Sequence, residues 1–456
     1  MPESLLHLSV EDMRLRHALA EPGERAGLID ALAAAFQRRA GELHCAIRTY
    51  LPPASVRPGG LLEGVALAHK DVFETGAHTP GCGRPPREGT PGPIATVLQR
   101  LQDQGALNLG ALAMAEHACG ATAENPHGPA LANPLDIAAA VGGSSSGCAV
   151  AVAAGLVPAS LGTDTAGSVR MPAATCGLVG LKPTRGAIPA DGVAALAPTL
   201  DTVGVIGRGA LDVACVYAAL LPAGMAAPAL PGDMAGIAEY LSRPRRWRVA
   251  STLGTAGARA DVAAEMTRFE QRVDALARVD ALARVDACPA PDLDRLNRLA
   301  QIVLHAEAAL TLAGSVRREL ATLAPATQAI ALPGWAMPAI WYRHAMARIA
   351  PLRAAFLASH LGGADLLLTP CLPQGVPDRA AVTTTSPAFD PRALAALHRH
   401  HAYINYLGLP ALVLPAGIDA QGRPVCVQAI GAPGSEPLLL AFAHQFALPF
   451  SALLQR

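Results

Sequence analysis

The stretch Gly142–Arg170 constrains the fold of this chain more than any other. It holds two loops rich in glycine and serine, Gly142–Gly147 and Gly162–Arg170, with the apolar run Cys148–Val157 between them. A single loop of this kind is typical of an ordinary turn, but glycine also lets backbone N–H groups turn toward a bound atom. The run between the loops is almost entirely Ala, Val, Gly and Leu, which predicts a helix buried on all sides. The stretch therefore predicts two serine loops held in fixed register.

Strand and helix patterns alternate along most of the chain, which predicts the α/β class, with a mixed central β-sheet sandwiched between helices. The segment Leu61–Asp71 has the pattern of a buried strand that ends at Lys70. Between about 222 and 370 the alternation gives way to helical patterns, such as Ala260–Arg284 and Pro338–Leu361, and Pro351 is expected to kink or split the second. A buried strand is predicted at Leu366–Thr369. We expect a single domain over 1–456 with a helical elaboration at about 222–370.

Charge and cysteine usage exclude several classes of protein. The 36 basic and 36 acidic residues cancel, so no electrostatic signature of nucleic-acid or anionic-membrane binding is present. The nine cysteines include no Cys-x-x-Cys spacing, so neither a disulfide framework nor a zinc site is predicted, and we expect no metal and no cofactor. Charges recur through Met1–Arg25, and Pro158 interrupts the longest uncharged tract. These patterns predict a cytoplasmic protein without a membrane span.

Lysine is almost absent from the chain. Of 36 lysines and arginines only Lys70 and Lys182 are lysines. An arginine cannot lose its proton in a protein, whereas a desolvated lysine can. Lys70 at a strand end is therefore a candidate general base, and Lys182 is expected to pair or pack locally. His69 precedes Lys70 on the same strand and points to the opposite face, so we interpret it as structural.

The residues allow two serine mechanisms. In the first, Lys70, Ser144 and Ser168 supply a base, a relay hydroxyl and a nucleophile. The N–H groups of Thr165, Ala166, Gly167 and Ser168 would then form an oxyanion hole. In the second, Gly143–Gly147 matches the Gly-x-Ser-x-Gly elbow of α/β-hydrolases, with Ser145 as the nucleophile. The second mechanism needs a downstream Asp and then a His, and no histidine has a convincing setting for this role.

Several segments together resemble the amidase signature family. They are Ala68–Asp71, Gly142–Gly147, Gly162–Arg170, Cys176–Thr184, Asn405–Pro415 and Pro424–Gly431. The resemblance covers most of the chain and is weak between Pro222 and Pro370. It implies the amidase signature fold, with Ser168 as the nucleophile, Lys70 as the general base, and Ser144 as a bridging serine that follows a cis peptide bond. Ala166 stands where the family usually has glycine, which affects substrate fit more than mechanism.

The resemblance implies a hydrolase that cleaves the C–N bonds of amides through an acyl-enzyme. Carbamates pass through a similar tetrahedral oxyanion, so a urethanase-type activity fits the same site. The resemblance also leaves an alternative of another class, a glutaminase-like A subunit of a tRNA-dependent amidotransferase that acts only inside a complex. A homodimer is also possible.

The predicted substrate is a small to medium uncharged amide or carbamate with an apolar or aryl flank. Two of the three tryptophans, Trp335 and Trp341, fall in one short segment and are candidate substrate-binding residues, although both could belong to the core. A polar loop at Thr122–Pro134 is expected to line the rim of the site. The histidine cluster within His398–His401 lacks acidic or cysteine ligands at suitable spacing, so a solvated helix face is predicted there.

Overall fold

Eleven strands form one mixed β-sheet in the computed structural model, which describes residues 5–52, 56–85, 90–222, 230–255, 257–280 and 283–454. The strands are β1 (Ala46–Thr49), β2 (Ala66–Lys70), β3 (Leu107–Leu112), β4 (Ala159–Asp164), β5 (Val179–Lys182), β6 (Thr202–Gly207), β7 (Trp247–Ser251), β8 (Ala283–Ala287), β9 (Leu366–Pro370), β10 (Ala411–Ile418) and β11 (Pro424–Ile430). Their order across the sheet is β1-β3-β2-β4-β6-β5-β10-β11-β9-β7-β8.

Helices surround the sheet. They are α1 (Val10–Leu19), α2 (Pro22–Glu42), α3 (Thr96–Asp103), α4 (Ser146–Ala153), α5 (Arg170–Thr175), α6 (Ala210–Leu220), α7 (Met234–Ser242), α8 (Ala260–Asp280), α9 (Leu293–Thr311), α10 (Ala313–Glu319), α11 (Pro325–Ala331), α12 (Ala339–His360), α13 (Arg379–Val382), α14 (Pro391–His398), α15 (Ala402–Leu407), α16 (Glu436–Phe446) and α17 (Ser451–Leu454). Short 3₁₀ turns lie at Glu116–Ala118, Leu253–Thr255, Leu320–Thr322 and Pro333–Ala336.

The sheet carries helices on both faces. Gly180 of β5 faces Ala173 of α5, and Gly207 of β6 faces Val213 of α6. Gly180 pairs with Ile206, the residue before Gly207. Because neighbouring residues of a strand point to opposite faces, α5 and α6 cover opposite faces of the sheet. The predicted α/β class with a mixed sheet between helices is confirmed.

Strand direction places the functional segments at the same end of neighbouring strands. β2 runs parallel to both β3 and β4, so the ends of β2 and β4 lie on the same side. Lys70 is the last residue of β2 and Asp164 is the last of β4. The strands from β4 through β6, β5, β10 and β11 to β9 then pair antiparallel. The carboxyl ends of the strands are where an α/β sheet usually carries its binding site.

The predicted buried helix after the first serine loop is present as α4. Every one of its residues is buried, and it begins at Ser146, slightly earlier than predicted. It packs against β4, so it joins the loop before it to the strand that leads into the second serine loop. The predicted fixed register of the two loops is therefore built from one buried helix and one buried strand.

The elaboration at about 222–370 is only partly helical. It includes helices α7 to α12, but β7 and β9 pair in parallel within it and join it to the main sheet. Helix was predicted to continue through Arg284, and that prediction was wrong, since α8 ends at Asp280 and β8 pairs in parallel with β7. Pro351 was predicted to kink or split its helix, and α12 continues through it. The single-domain organisation stays a prediction.

Among the described helices none is by itself both long and apolar enough to cross a membrane. The segments Leu293–Thr311 and Ala313–Thr322 meet that test only when taken together, and they are bent by 62° relative to each other.

Candidate active site

Lys70 lies at the end of β2 and is completely buried. Its Nζ donates hydrogen bonds to Ser144 Oγ at 2.7 Å and to Thr163 Oγ1 at 2.9 Å. Burial lowers the pKa of Lys70 to about 8, and acidic neighbours only partly oppose this shift. The amine can therefore be neutral near physiological pH, as a general base requires.

Ser144 is held by its backbone. The Gly143–Ser144 peptide bond is cis, and the Ser144 carbonyl accepts a hydrogen bond from Ala115 N at 3.2 Å. A side chain at Gly143 would overlap the backbone of Thr122, so only glycine fits beside this serine. Ser144 is fully buried, with its hydroxyl against Lys70. It can pass a proton but cannot meet a substrate.

Ser168 is the most exposed of the three predicted catalytic residues, at 5% of its surface. Its carbonyl accepts a hydrogen bond from Ser145 N at 3.2 Å, which joins the two serine loops next to Ser144. No hydrogen bond among the described residues uses Ser168 Oγ. The structure thus brings Lys70, Ser144 and Ser168 into one site, with Ser168 on the accessible side.

The loop before Ser168 differs from the prediction at one N–H group. Gly167 N donates to Asp164 Oδ1 at 2.8 Å, so this group is already engaged and does not point toward a bound oxyanion. Gly167 has a φ of +117°, and a Cβ there would lie 2.7 Å from His401 Cβ, so only glycine makes this turn. In the described chain, no hydrogen bond uses the N–H of Thr165, Ala166 or Ser168. These three donors remain available for an oxyanion.

Asp164 and Arg170 form a completely buried ion pair under this loop. Arg170 Nη2 lies 2.9 Å from Asp164 Oδ1, and Arg170 Nε lies 3.0 Å from Asp164 Oδ2. Asn405 Oδ1 and Gln428 Oε1 accept from the guanidinium at 2.6 and 2.7 Å. Burial would raise the pKa of Asp164, but the Arg170 guanidinium and its hydrogen bonds outweigh burial and hold the pKa well below its ordinary value. The pair fixes the backbone on both sides of Ser168.

Sequence reasoning missed several of these residues. Thr163 was not named, although it lies near the end of the strand beside β2 and so near Lys70. Asp164 and Arg170 were quoted as part of a motif without a role. Asn405 and Gln428 were likewise inside quoted segments, but their contact with Arg170 joins residues more than 200 positions apart. Only the structure could show that contact.

The alternative nucleophile Ser145 does not fit the geometry. It is fully buried, and its Oγ donates to the Thr163 carbonyl at 3.3 Å. No histidine contacts it among the hydrogen bonds of the described residues. The preceding residues 137–141 form a turn and an isolated bridge in place of the strand that a hydrolase elbow follows. The α/β-hydrolase interpretation is therefore rejected.

A cavity of about 490 Å³ lies beside the serine loops. Thr122 in its wall forms an isolated bridge with Gly142, directly before the Gly143–Ser144 bond. Most of the exposed lining is apolar, and polar groups come from Glu124, Asn125, Arg379 and four threonines. The apolar lining residues include Ala121, Ala123, Leu131, Val141, Val382 and Leu394. The predicted rim loop thus supplies much of a mainly apolar cavity next to the candidate catalytic residues.

The two tryptophans lie elsewhere on the surface. Trp335 and Trp341 are 49% and 55% exposed, so neither belongs to the core. Arg317 lies over the Trp335 ring, with its Cζ 5.5 Å from the ring centroid. Neither tryptophan lines the cavity beside Thr122. Their role in substrate binding stays a prediction.

Lys182, His69 and His401 make structural contacts. Lys182 Nζ donates to the Pro183 carbonyl at 2.7 Å, which is the local contact that was predicted. His69 is buried and packs edge-on against Phe73, and burial lowers its pKa to about 4. His401 is fully buried with Nε2 3.3 Å from Cys371 Sγ, so the predicted solvated helix face is wrong there. Within the described ranges no three His, Cys, Asp or Glu side chains are grouped so as to hold a metal ion.

Comparison with known proteins identifies the family of the chain. A sequence model of the family described as Amidase matches residues 28–440. The A subunit of glutamyl-tRNA(Gln) amidotransferase from Anaeromyxobacter dehalogenans is 32% identical over 409 residues, which is 84% of this chain and 82% of that protein. Its counterpart from Chromohalobacter salexigens is 46% identical over 154 residues, only 34% of this chain and 32% of that protein. A crystal structure of an amidase superposes with a TM-score of 0.80 at 27% identity, and the match covers 95% of this chain and 98% of that chain.

The mixed α/β sheet, with helices on both faces and with a buried lysine and two serine loops near the ends of its strands, has the fold of an amidase, a hydrolase of C–N bonds. The family match spans most of the chain, and the relative from Anaeromyxobacter dehalogenans matches over 82% of its length. This chain belongs to the amidase family.

Proposed function

We propose that this protein hydrolyses the C–N bond of amides, with Ser168 as nucleophile, Ser144 as relay and Lys70 as base. The observation that carries the proposal is the buried contact of 2.7 Å between Lys70 Nζ and Ser144 Oγ. Because burial lowers the pKa of Lys70 to about 8, its amine can accept a proton near neutral pH. Ser168 follows the oxyanion loop and alone among the three retains exposed surface, at 5%.

The reaction uses this relay twice. Ser168 Oγ attacks the substrate carbonyl carbon while its proton passes to Ser144 Oγ, and the Ser144 proton passes to Lys70 Nζ. The oxyanion accepts hydrogen bonds from the free N–H groups of Thr165, Ala166 and Ser168. The Lys70 ammonium then returns a proton through Ser144 to the leaving nitrogen, the C–N bond breaks, and an acyl-Ser168 ester remains. Water attacks this ester by the same steps and releases the acid.

The substrate is a small to medium uncharged linear amide with an apolar or aryl flank. The cavity of about 490 Å³ beside Thr122 supports this size and polarity, since its lining is mainly apolar. A carbamate passes through the same kind of oxyanion and releases a protonated amine, so carbamate hydrolysis belongs to the same proposal. Trp335 and Trp341 are exposed and stay candidates for contacts at the entrance.

A second candidate function is that of a glutaminase-like A subunit, active only in a complex. The names of the relatives favour it, since they are A subunits of glutamyl-tRNA(Gln) amidotransferases. Purified chain that hydrolyses an aryl amide without a partner supports the free-standing amidase. Activity confined to glutamine, or seen only after other subunits are added, supports the complex. The same purification tests the possible homodimer by light scattering, and fractionation of cells tests the cytoplasmic location.

The catalytic assignment is tested by Ser168→Ala, Ser144→Ala and Lys70→Ala, with Ser145→Ala as the matched control. Each variant is treated with a fluorophosphonate, in which a serine oxygen displaces fluoride from phosphorus. We expect the three variants to lose labelling and hydrolysis, and Ser145→Ala to be labelled at Ser168. Labelling that survives Ser168→Ala and disappears in Ser145→Ala contradicts the assignment. A panel of aliphatic amides, aryl amides, glutamine and aryl carbamates, repeated with Trp335→Ala and Trp341→Ala, tests the substrate.

A further inference from the structure

Asp201 contacts the first residue of the oxyanion loop. Its Oδ1 accepts a hydrogen bond from Thr165 Oγ1 at 2.6 Å. Its Oδ2 accepts from the N–H groups of Leu196 and Ala197 at 2.8 and 3.0 Å. Each carboxylate oxygen is therefore bound to a different segment, and Asp201 joins the loop 196–201 to the first residue of the oxyanion loop.

No lysine, arginine or histidine of the described residues forms an ion pair with Asp201. Burial raises the pKa of Asp201 to about 6, and the Thr165 hydroxyl and the two N–H groups oppose that shift. A largely buried carboxylate without an ion pair is costly unless its hydrogen bonds are satisfied, and Asp201 accepts three. Its placement between two loops is difficult to explain by stability alone.

Two helices of the elaboration, α9 and α12, support the loop 196–201. Glu307 of α9 accepts a hydrogen bond from Thr199 N at 2.8 Å, and Thr311 Oγ1 donates to the Leu196 carbonyl at 2.7 Å. Tyr342 of α12 donates to the same glutamate at 2.9 Å. The loop to which Asp201 binds is thus fixed against two helices, so the carboxylate presents a rigid acceptor to Thr165.

We propose that Asp201 is a positioning residue that holds Thr165, and with it the N–H groups of Thr165 and Ala166, in the orientation that binds the oxyanion. The proposal rests on the proposed function of Ser168. It follows from the contacts at both carboxylate oxygens and from the fixed loop behind them. Preorganised donors stabilise a transition state more than a ground state, and loss of one donor typically costs about 10²- to 10³-fold in kcat. A donor that is only misoriented is expected to cost less.

The test replaces the Thr165 hydroxyl without changing its volume. In Thr165→Val we expect kcat to fall roughly 10-fold or more while KM changes less than about twofold, because the ground state does not use the oxyanion donors. Thr165→Ser keeps the hydroxyl and is expected to recover most of that loss. Asp201→Ala removes the acceptor of that hydroxyl and is expected to resemble Thr165→Val, and the double variant to lose little more than Asp201→Ala, since both remove the same contact.

Asp212→Asn is the matched control for lost stability. Asp212 is also a buried carboxylate whose pKa burial raises to about 6, and it accepts a hydrogen bond from Val10 N at 2.8 Å, away from the site. If Thr165→Val and Asp201→Ala lower kcat no more than Asp212→Asn at matched losses of Tm, the proposal is wrong. It is also wrong if Thr165→Ser loses as much as Thr165→Val.

A fluorophosphonate keeps this test separate from the identity of the substrate. Its phosphoryl oxygen occupies the oxyanion position while Ser168 displaces fluoride, so the labelling rate reports the same donors. A wild-type chain that is labelled at Ser168 but cleaves no amide or carbamate contradicts the proposed function alone. In that case a labelling rate that falls in Thr165→Val and recovers in Thr165→Ser still supports the role of Asp201, and an unchanged rate overturns it.

Discussion

Lys70 is fully buried, and within the described residues it forms no ion pair with a carboxylate. Its contacts are the hydroxyls of Ser144 and Thr163. Hydroxyls satisfy either protonation state of an amine, whereas a carboxylate at this distance would hold the proton on it. The site thus favours a lysine that can give up its proton, which arginine cannot do.

Replacement of Lys70 tests this property directly. We expect Lys70→Arg to be as inactive as Lys70→Ala, with kcat lower by about 10²- to 10⁴-fold, because a guanidinium stays protonated and cannot serve as a base. Steady-state hydrolysis of an aryl amide measures this loss, and circular dichroism checks that the variants fold. An arginine variant that retains most of the wild-type kcat would contradict a role for neutral Lys70.

The pH dependence follows from the same lysine. Since the neutral amine is the active form and the pKa is about 8, kcat is expected to rise with pH through about 8 and to fall below it. The folded-state pKa lies below the ordinary value of 10.5, so the folded protein binds fewer protons there and its stability rises with pH between about 8 and 10.5. A pH-rate profile measures the first effect. Lys182→Met is the control, because burial also lowers the pKa of Lys182, to about 7, while its Nζ donates to the Pro183 carbonyl and to none of the predicted catalytic residues. A pH-rate profile that shifts in this variant would show that Lys182, and not Lys70, titrates there.

At the scale of elements, the loop that carries Ser168 depends on helix α15 and strand β11 for its position. Both supply acceptors to Arg170, through Asn405 and Gln428. We expect Arg170→Met to lower the free energy of unfolding by about 3–5 kcal/mol, because it leaves the Asp164 carboxylate buried without its cation. Urea denaturation measures this loss.

The matched control for that measurement is an exposed ion pair on α7. Arg243 and Glu239 lie 2.8 Å apart with side chains 58% and 70% exposed, so Arg243→Ala is expected to cost less than about 1 kcal/mol. Equal losses in the two variants would show that the buried pair contributes no more than a surface pair.

How much of this could be predicted depends on how local each signal is. Lys70, Ser144 and Ser168 stand in short motifs at the ends of a strand or beside a buried helix, so the sequence alone predicted them. Asp201 lies in none of those motifs, and its contact with Thr165 depends on the folding of an intervening loop. For the cavity beside Thr122, only the loop Thr122–Pro134 was predicted, as the rim of the site. The other lining segments are distant in sequence, so no local sequence pattern indicates that they form one cavity.

Secondary structure shows the same dependence. The strand at Leu366–Pro370 is an apolar run between polar ends, so it was recognised. The strand at Ala283–Ala287 contains the sequence Val-Asp-Ala, which also occurs within helix α8. Its parallel pairing with β7 determines its conformation. Tertiary pairing therefore overrides local propensity there.

For the whole molecule, the continuity of the sheet gives a prediction about unfolding. β9 pairs with β11 on one side and with β7 on the other, so the elaboration and the main sheet share hydrogen bonds. We expect one cooperative transition in calorimetry and no stable fragment of the elaboration after limited proteolysis. Two separate transitions, or a folded fragment from about 230 to 360, would contradict a single domain.

The position of the last two strands has a consequence for synthesis of the protein. β10 and β11 stand in the middle of the sheet, between β5 and β9, although they lie near the end of the chain. While the ribosome is still making residues 411–430, β5 has an open edge where β10 will pair, and such edges favour association with other chains. Asn405 and Gln428 also reach Arg170 only then. The nascent chain therefore completes the support of Ser168 only after the other nine strands have been made, and it depends until then on protection of that open edge.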